Sequence, residues 1–509
     1  MNNTVRTDEH YARLAEENQQ LRDRIEQLEA MILQLRKQQF GASSEKLSPD
    51  QLALFDETEA AVDEEESTES PVVGHTRKAK KRVSIPADLP REEILHDLPD
   101  AQKICPHDGT PLKRIGEESS EQLDIIPAQV KVLRHVRLKY ACPCCEQYLV
   151  TASKPKQPID KSIAAPGLLA YVSVSKYVDA LPLYRQVEIF QRIGVEMDRT
   201  TLANWMVRCG ELIQPLMNRL LETLHQERVL HMDETIVQVL NEPGKTPQSQ
   251  SYMWVISSQK ASTSPSVLFH YAPGRGGDVP RELLHDFTGA LMTDGYEGYH
   301  GVCVENGIHR LGCWAHARRK FIEAKDSQIK GKTGMADVAL SYIQKLYRIE
   351  QESNDSIKAH PLPTEEAALW RYRQRQEQAL PIIIKLREWL DKSLGKSPKQ
   401  HALGKALTYL DNQWERLVRY LENGHYPIDN NRAENSIRPF VVGRKNWLFS
   451  SSQKGATSSA NLYSLIETAK LNGLEPYAYL KKVFTDLPNA ETLEQVDALL
   501  PWNVKGGVG

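Results

Sequence analysis

VLHMDETIVQV (229–239) places Asp233 just after the apolar pair Val229–Leu230. Apolar residues leading directly into a carboxylate predict a buried strand that ends on an acid, which holds the acid rigidly at the rim of a cleft. GALMTDGYEGYH (289–300) repeats the pattern, with GALM leading into Asp294. A third acid, Glu434, lies in YPIDNNRAENSIRP (426–439), a polar run that leads into a helix. Two strand-borne Asp and one helix-borne Glu can converge on a pair of magnesium ions. Mg²⁺ takes hard oxygen ligands and few protein carboxylates. Two such ions about 3.5–4 Å apart clamp the attacking and leaving oxygens of a phosphodiester. Spacing alone decides little, because any long chain offers many such acidic triples, so the flanking sequence carries the weight.

Around these acids, SYMWVISS (251–258) and SVLFHYA (266–272) read as further strands, and IHRLGCW (308–314) as another. Strands followed by helices predict an α/β core with mixed pairing. It occupies residues 226–330 and resumes over 426–485. Residues 331–425, rich in Leu, Arg, Gln and Glu, read as a helical insertion that delays the third carboxylate in sequence without moving it in space. His316, Arg318, Arg319 and Lys320 follow on a predicted helix. Positions 316, 319 and 320 share a face, suited to clamping DNA phosphates or to standing solvated. Cys313 and Trp314 read as core residues rather than ligands, His231 as structural, and Asp429 as a turn former before Asn-Asn. Arg432, Arg438, Arg444 and Lys445 cluster around Glu434, with Trp447 and Phe449 following. Cations for phosphates and rings for bases predict a DNA contact there.

Upstream, residues 156–225 are helical. PLYRQVEIFQRIG and DRTTLANWMVRCGELI are joined at Gly194, with Asp198 as N-cap. A short helix, a turn, and a helix bearing Arg199, Thr201 and Asn204 suit a helix-turn-helix that contacts DNA. A bundle that braces the core fits equally well. Residues 101–155 carry ICPHDGTPL and YACPCCEQY, two knuckles separated by strand-like sequence. This predicts a zinc-ribbon-like module with Cys105, Cys142, Cys145 and one of Asp108 or His107 as ligands. A ribbon that no longer binds metal is the alternative. Residues 48–100 are a charged linker. In residues 1–47, Leu14, Leu21, Leu28 and Leu35 recur every seven residues, with Asn18, Ile25 and Ile32 at the alternate seam position. Ile at a, Leu at d and one buried Asn predict a parallel coiled-coil dimer. Residues 486–509 read as a C-terminal tail.

MDET, TDGYEGY, CWAHARRKF (313–321) and DNNRAENSIRPFVVGRKNWLF (429–449), in this order, resemble the transposases of the IS-sixty-six family of bacterial insertion sequences. The resemblance runs from the N-terminal helix to about Pro476. It implies an RNase-H-like catalytic core, an acidic triad of the DDE type at Asp233, Asp294 and Glu434, and magnesium-dependent cleavage and transfer of DNA strands. It also implies double-stranded DNA at element ends and target as partner, and small accessory proteins of the same element. One departure stands out: Asp108 occupies a position where the family usually has Cys.

Composition agrees. The chain has 509 residues, enough for two to four domains, with 40% hydrophobic and 26% charged residues and a net charge of -3. DNA binding must therefore rest on local charge. The sequence has no apolar run of spanning length and an N-terminus without a signal-like core. With four of its seven Cys clustered, it predicts a cytoplasmic protein with a metal site rather than disulfides. A nuclease without strand transfer would share the triad, and a DNA-binding regulator with an idle centre would share the fold. A glycosidase using two carboxylates would need neither metal nor basic patch.

Overall fold

The computed structural model describes residues 129–141, 149–327 and 334–504. The chain divides into two compact units, and every element below lies in the unit that includes Val136–Gly509. β1 (Lys139–Ala141) and β2 (Leu149–Thr151) form an antiparallel hairpin. The expected zinc ligands Cys105, His107, Asp108, Cys142 and Cys145, and the heptads of residues 8–39, lie outside the described residues.

Four helices follow: α1 (Pro166–Tyr177), α2 (Leu183–Arg192), α3 (Arg199–Leu212) and α4 (Gln214–His225). Gly194 turns the chain between α2 and α3 with φ of +79°, a conformation open to glycine. Asp198 caps α3 as its sequence position predicts, accepting from the Thr201 amide at 2.9 Å and the Thr201 hydroxyl at 2.8 Å. Leu202, Trp205, Met206 and Cys209 make the buried stripe of α3, and Arg199 and Asn204 are exposed.

The sheet comes next. β3 (Val229–Asn241), β4 (Gln250–Ser258) and β5 (Val267–Ala272) form an antiparallel meander. α5 (Asp278–Leu283) leads to β6 (Ala290–Thr293), and α6 (His300–Glu305) to β7 (His309–Gly312). β6 runs parallel to β3, and β7 parallel to β6. The strand order is β5-β4-β3-β6-β7. β6 pairs with β3 only over Val229–His231. Beyond that point one side of β3 has no strand partner among the described residues until Val239, and this gap in pairing is the notch beside residues 232–238.

α7 (Trp314–Asp326) starts where β7 ends. The insertion then runs α8 (Met335–Ala359) and α9 (Thr364–Gln374), through a π-helical turn at Arg375–Ala379 into α10 (Leu380–Ser393), then α11 (Ala402–Asn412) and α12 (Trp414–Val418). It has its own core, in which Ile343, Leu346, Leu386, Leu407 and Leu417 pack against Trp314 and Phe321 of α7. Arg375 at the π turn is fully buried. Its guanidinium binds both carboxylate oxygens of Glu350 (2.8 and 2.7 Å) and the carbonyls of Tyr420, Asn423 and Tyr426 (2.6, 2.7 and 2.9 Å). The guanidinium thereby fixes the path that leaves the insertion.

That path enters α13 (Asn431–Trp447), followed by β8 (Ser450–Ser452), α14 (Gln453–Leu471), α15 (Pro476–Asp486) and α16 (Leu493–Asp497). β8 pairs with the far end of β3 and closes the notch. α14 covers the free edge of β5. The hydroxyls of Ser464 and Thr468 accept from the amides of Phe269 (2.7 Å) and Val267 (3.1 Å), so that edge offers these groups to no other strand. α3 packs on α14 at Gly210, where a Cβ would stand 2.4 Å from that of Ser458. α1 to α4, the sheet, and α13 to α15 share one hydrophobic core. Residues 166–225 are thus built into the same unit as the sheet, as a bracing bundle would be. Residues 487–504 are no tail: Leu487, Leu499, Leu500 and Val504 are buried in the same core, and Asp497 pairs with Arg219 at 2.6 Å.

Candidate active site

Asp233 is the fifth residue of β3 rather than its end. It lies where β6 stops and the notch begins, and its pairing with Val255 of β4 holds it rigidly. Asp294 follows the last residue of β6. Its Oδ1 accepts from the Tyr296 amide at 2.9 Å. Buried Arg310 of β7 donates to the Thr293 hydroxyl and the Asp294 carbonyl, both at 3.1 Å, and ties the loop down.

Glu434 lies in the first turn of α13, 4% exposed. Its position is set by the residues just before it. Asn430 is fully buried. Its side chain donates to the Met232 carbonyl of β3 at 3.0 Å and meets His231 Nδ1 at 3.1 Å, and its amide donates to Cys313 Sγ at 3.2 Å. The Trp314 amide donates to the Ile428 carbonyl at 3.1 Å. These bonds stitch the N-terminus of α13 between β3 and α7. Burial drives His231 down to about 4, so it is a neutral structural ring. Asn430→Ala leaves buried polar groups unpaired and is expected to cost about 1–3 kcal/mol, read as a lower urea midpoint with an unchanged m-value.

The three acids feel one another. Burial first, then repulsion from Glu234, Glu434 and Asp294, holds Asp233 well above the usual carboxylate range. Glu234 is a fourth acid of the cluster, pushed up to about 7 by burial and by Asp294. Arg275 restrains that rise, donating to Glu234 at 2.6 Å, and so does the Tyr299 hydroxyl. The Arg275 guanidinium stands 3.9 Å from the Tyr296 ring centre and 4.0 Å from Asp294 Oδ2. Glu434 Oε2 accepts from buried Arg319 at 3.0 Å. Its Oε1 has no hydrogen-bond partner among the described residues and faces His316 Nδ1 at 3.4 Å.

With that geometry in view, the comparisons are specific. Residues 161–458 match the profile described as Transposase IS66 family. The chain belongs to this family. Residues 102–146 match the zinc-finger binding domain of transposase IS66, residues 464–502 the IS66 C-terminal element, and residues 27–94 the region described as Transposase C of IS166 homeodomain. Among similar curated proteins, the uncharacterized protein y4qI of Sinorhizobium fredii (strain NBRC 101917 / NGR234) is 32% identical over 97% of this chain and 92% of its own length. Protein y4jD of the same strain is 32% identical over 96% and 98%. The family is one of transposases, so DNA is the partner that membership implies, and its zinc-finger region supports zinc near the N-terminus. No helix among the described residues is long and apolar enough to cross a membrane.

In this IS66 chain the remaining expected DNA contacts fall in different places. Arg319 is 3% exposed and bound to Glu434, so it positions a carboxylate rather than clamping a phosphate; helix spacing showed its face but not that α13 covers it. Arg444 donates to the Thr235 hydroxyl and the Ile236 carbonyl and braces β3 across the notch. Trp447 is half-buried and packs edge-on against Phe440, 5.4 Å between centres, at the margin of the main core. Thr201 is occupied by its cap bond. Lys445 is exposed, and Arg318 and Arg438 are half-buried. Asp429 accepts from Tyr347 and Asn431 at 3.0 Å, as a turn former does. Sequence reasoning missed Glu234, Arg275 and Asn430. Their signals were the second acid of MDET, the glycine-flanked arginine of PGRGG (273–277), and the Asn pair before Glu434.

Proposed function

We propose that this transposase cuts the ends of an insertion sequence and joins them to target DNA at a divalent-metal centre held by Asp233, Asp294 and Glu434. The observation that carries the reading is the convergence of β3, the β6 end and α13 on one cluster, where the carboxylates of Glu434 and Asp294 repel that of Asp233. The donor set fits a hard cation: three carboxylates, with a buried Glu434 oxygen that accepts no hydrogen bond among the described residues and has only His316 Nδ1 near it, at 3.4 Å. A mixed sheet with the first acid on its central strand supports an RNase-H-like reading of the core.

A bound magnesium pair supplies activation of the attacking oxygen and stabilisation of the leaving oxygen. The chain's own residues do the rest. Arg319 fixes Glu434, Arg310 fixes the Asp294 loop, and Asn430 fixes α13 against β3. Arg275 holds Glu234 and stands 4.0 Å from Asp294 Oδ2. Arg318, Arg438 and Lys445 line the proposed DNA path, with exposed Arg199 and Asn204 on α3 as a second contact. The heptads would join two chains, and accessory proteins of the element would act with them.

The test is purified protein with Mg²⁺ and a DNA fragment bearing both element ends and flanking sequence. The proposal predicts cut ends that reappear joined to a target plasmid. Cuts without joined product would favour a nuclease without strand transfer. For the DNA path, Arg438→Ala with Lys445→Ala should lower the slope of log affinity against log salt by about 0.9 per lost phosphate contact. An unchanged slope would move the path elsewhere.

A further inference from the structure

We propose that Cys313, His316 and Glu434 form a binding site for a transition-metal ion of the zinc class, which shares Glu434 with the proposed magnesium centre on the carboxylates. Ligand atoms of all three residues lie within 4.8 Å of one another. Cys313 is the N-cap of α7 and His316 lies three residues on, so both face the same side of one turn. Glu434 approaches from α13. Two of the three donors, His316 Nδ1 and Glu434 Oε1, are buried and face each other at 3.4 Å, and neither makes a hydrogen bond among the described residues. Such groups are rare in folded proteins, and an unoccupied ligand role is one of the few reasons for them.

The chemistry selects the ion. Sulfur, nitrogen and oxygen together suit zinc and its neighbours, whereas Mg²⁺ takes oxygen alone. Three protein ligands leave a fourth position open, the pattern of reactive rather than purely structural zinc. Outer contacts that orient metal ligands are in place: Arg319 on Glu434 Oε2 at 3.0 Å and the Asn430 amide on Cys313 Sγ at 3.2 Å. Glu434 Oε1 is the atom both centres need, so an ion held here competes with magnesium for the third carboxylate. Among the described residues, Cys313, Cys209 and Cys303 are free thiols. Only Cys313 has a histidine and a carboxylate beside it in such a group.

The test is Co²⁺ titration of the full chain, reading the thiolate-to-cobalt charge-transfer band and the visible bands of tetrahedral cobalt. Ribbon thiols are removed by Cys105→Ser, Cys142→Ser, Cys144→Ser and Cys145→Ser together, leaving Cys209, Cys303 and Cys313. This variant is expected to bind about one Co²⁺ with a thiolate band, and a protein that binds no Co²⁺ overturns the proposal. Adding Cys313→Ser should abolish the band, and adding His316→Gln should weaken binding and shift the visible bands. A band that survives Cys313→Ser also overturns it. Failure here leaves the carboxylate reading standing, because that reading is tested separately by DNA cleavage with Glu434→Gln.

Discussion

Asp233→Asn, Asp294→Asn and Glu434→Gln are each expected to lower strand cleavage by about 10³-fold or more, equivalent to some 4 kcal/mol of barrier, with DNA affinity nearly unchanged. A neutral amide holds a hard divalent cation poorly, and the one further acid of the cluster, Glu234, is already held by Arg275 and the Tyr299 hydroxyl. The same Asp233→Asn change should stabilise the metal-free protein. The folded-state pKa of Asp233 is raised above its ordinary 3.8. The folded protein therefore holds that proton more tightly than the unfolded chain does. The resulting stability is present below pH 3.8 and is lost as pH rises through the folded value, leaving a penalty at neutral pH. Removing the charge should raise Tm by about 2 °C or more in EDTA at pH 7. A variant that cleaved normally would leave the triad, and one that melted lower than wild type would contradict the repulsion.

Arg375→Met is expected to cost about 3–5 kcal/mol, the usual penalty for removing one partner of a buried ion pair. Glu350 would be left charged and unpaired, and the carbonyls of Tyr420, Asn423 and Tyr426 would lose their donor. Those carbonyls lie on the segment that delivers α13, so the loss should reach Glu434 as well as the insertion. Urea unfolding measures the first effect and Mg²⁺-dependent cleavage the second. A loss under about 1 kcal/mol would mean the insertion holds its exit path by apolar packing alone.

Local pattern made much of this architecture readable. β4, β5 and β6 fall on the apolar runs that predict them, because strands buried on both faces read as near-continuous hydrophobic stretches, and β7 falls within the strand-like IHRLGCW. The Asp198 cap was legible because its partners lie three residues away. What was not legible depends on contacts between distant segments. Arg319 looked like a surface cation because helix spacing shows which residues share a face, not what covers it. Cys313 looked like core and is buried, yet Glu434, more than a hundred residues later, stands beside it. Trp447 and Arg444 looked free for DNA, and α13 turns them onto Phe440 and β3. The apparent tail of 486–509 carries Leu499, Leu500 and Val504, too few and too irregularly spaced to announce the core they complete.

The central claim is that Asp233, Asp294 and Glu434 hold one metal centre, and iron-directed cleavage of the protein tests it most directly. Fe²⁺ in place of Mg²⁺, with ascorbate and peroxide, cuts the backbone next to the bound ion. The account predicts cuts beside 233, 294 and 434 together, suppressed by excess Mg²⁺ and lost in Asp233→Asn. Cuts confined to 313–316 and 434, or a pattern indifferent to Asp233→Asn and to Mg²⁺, would contradict it.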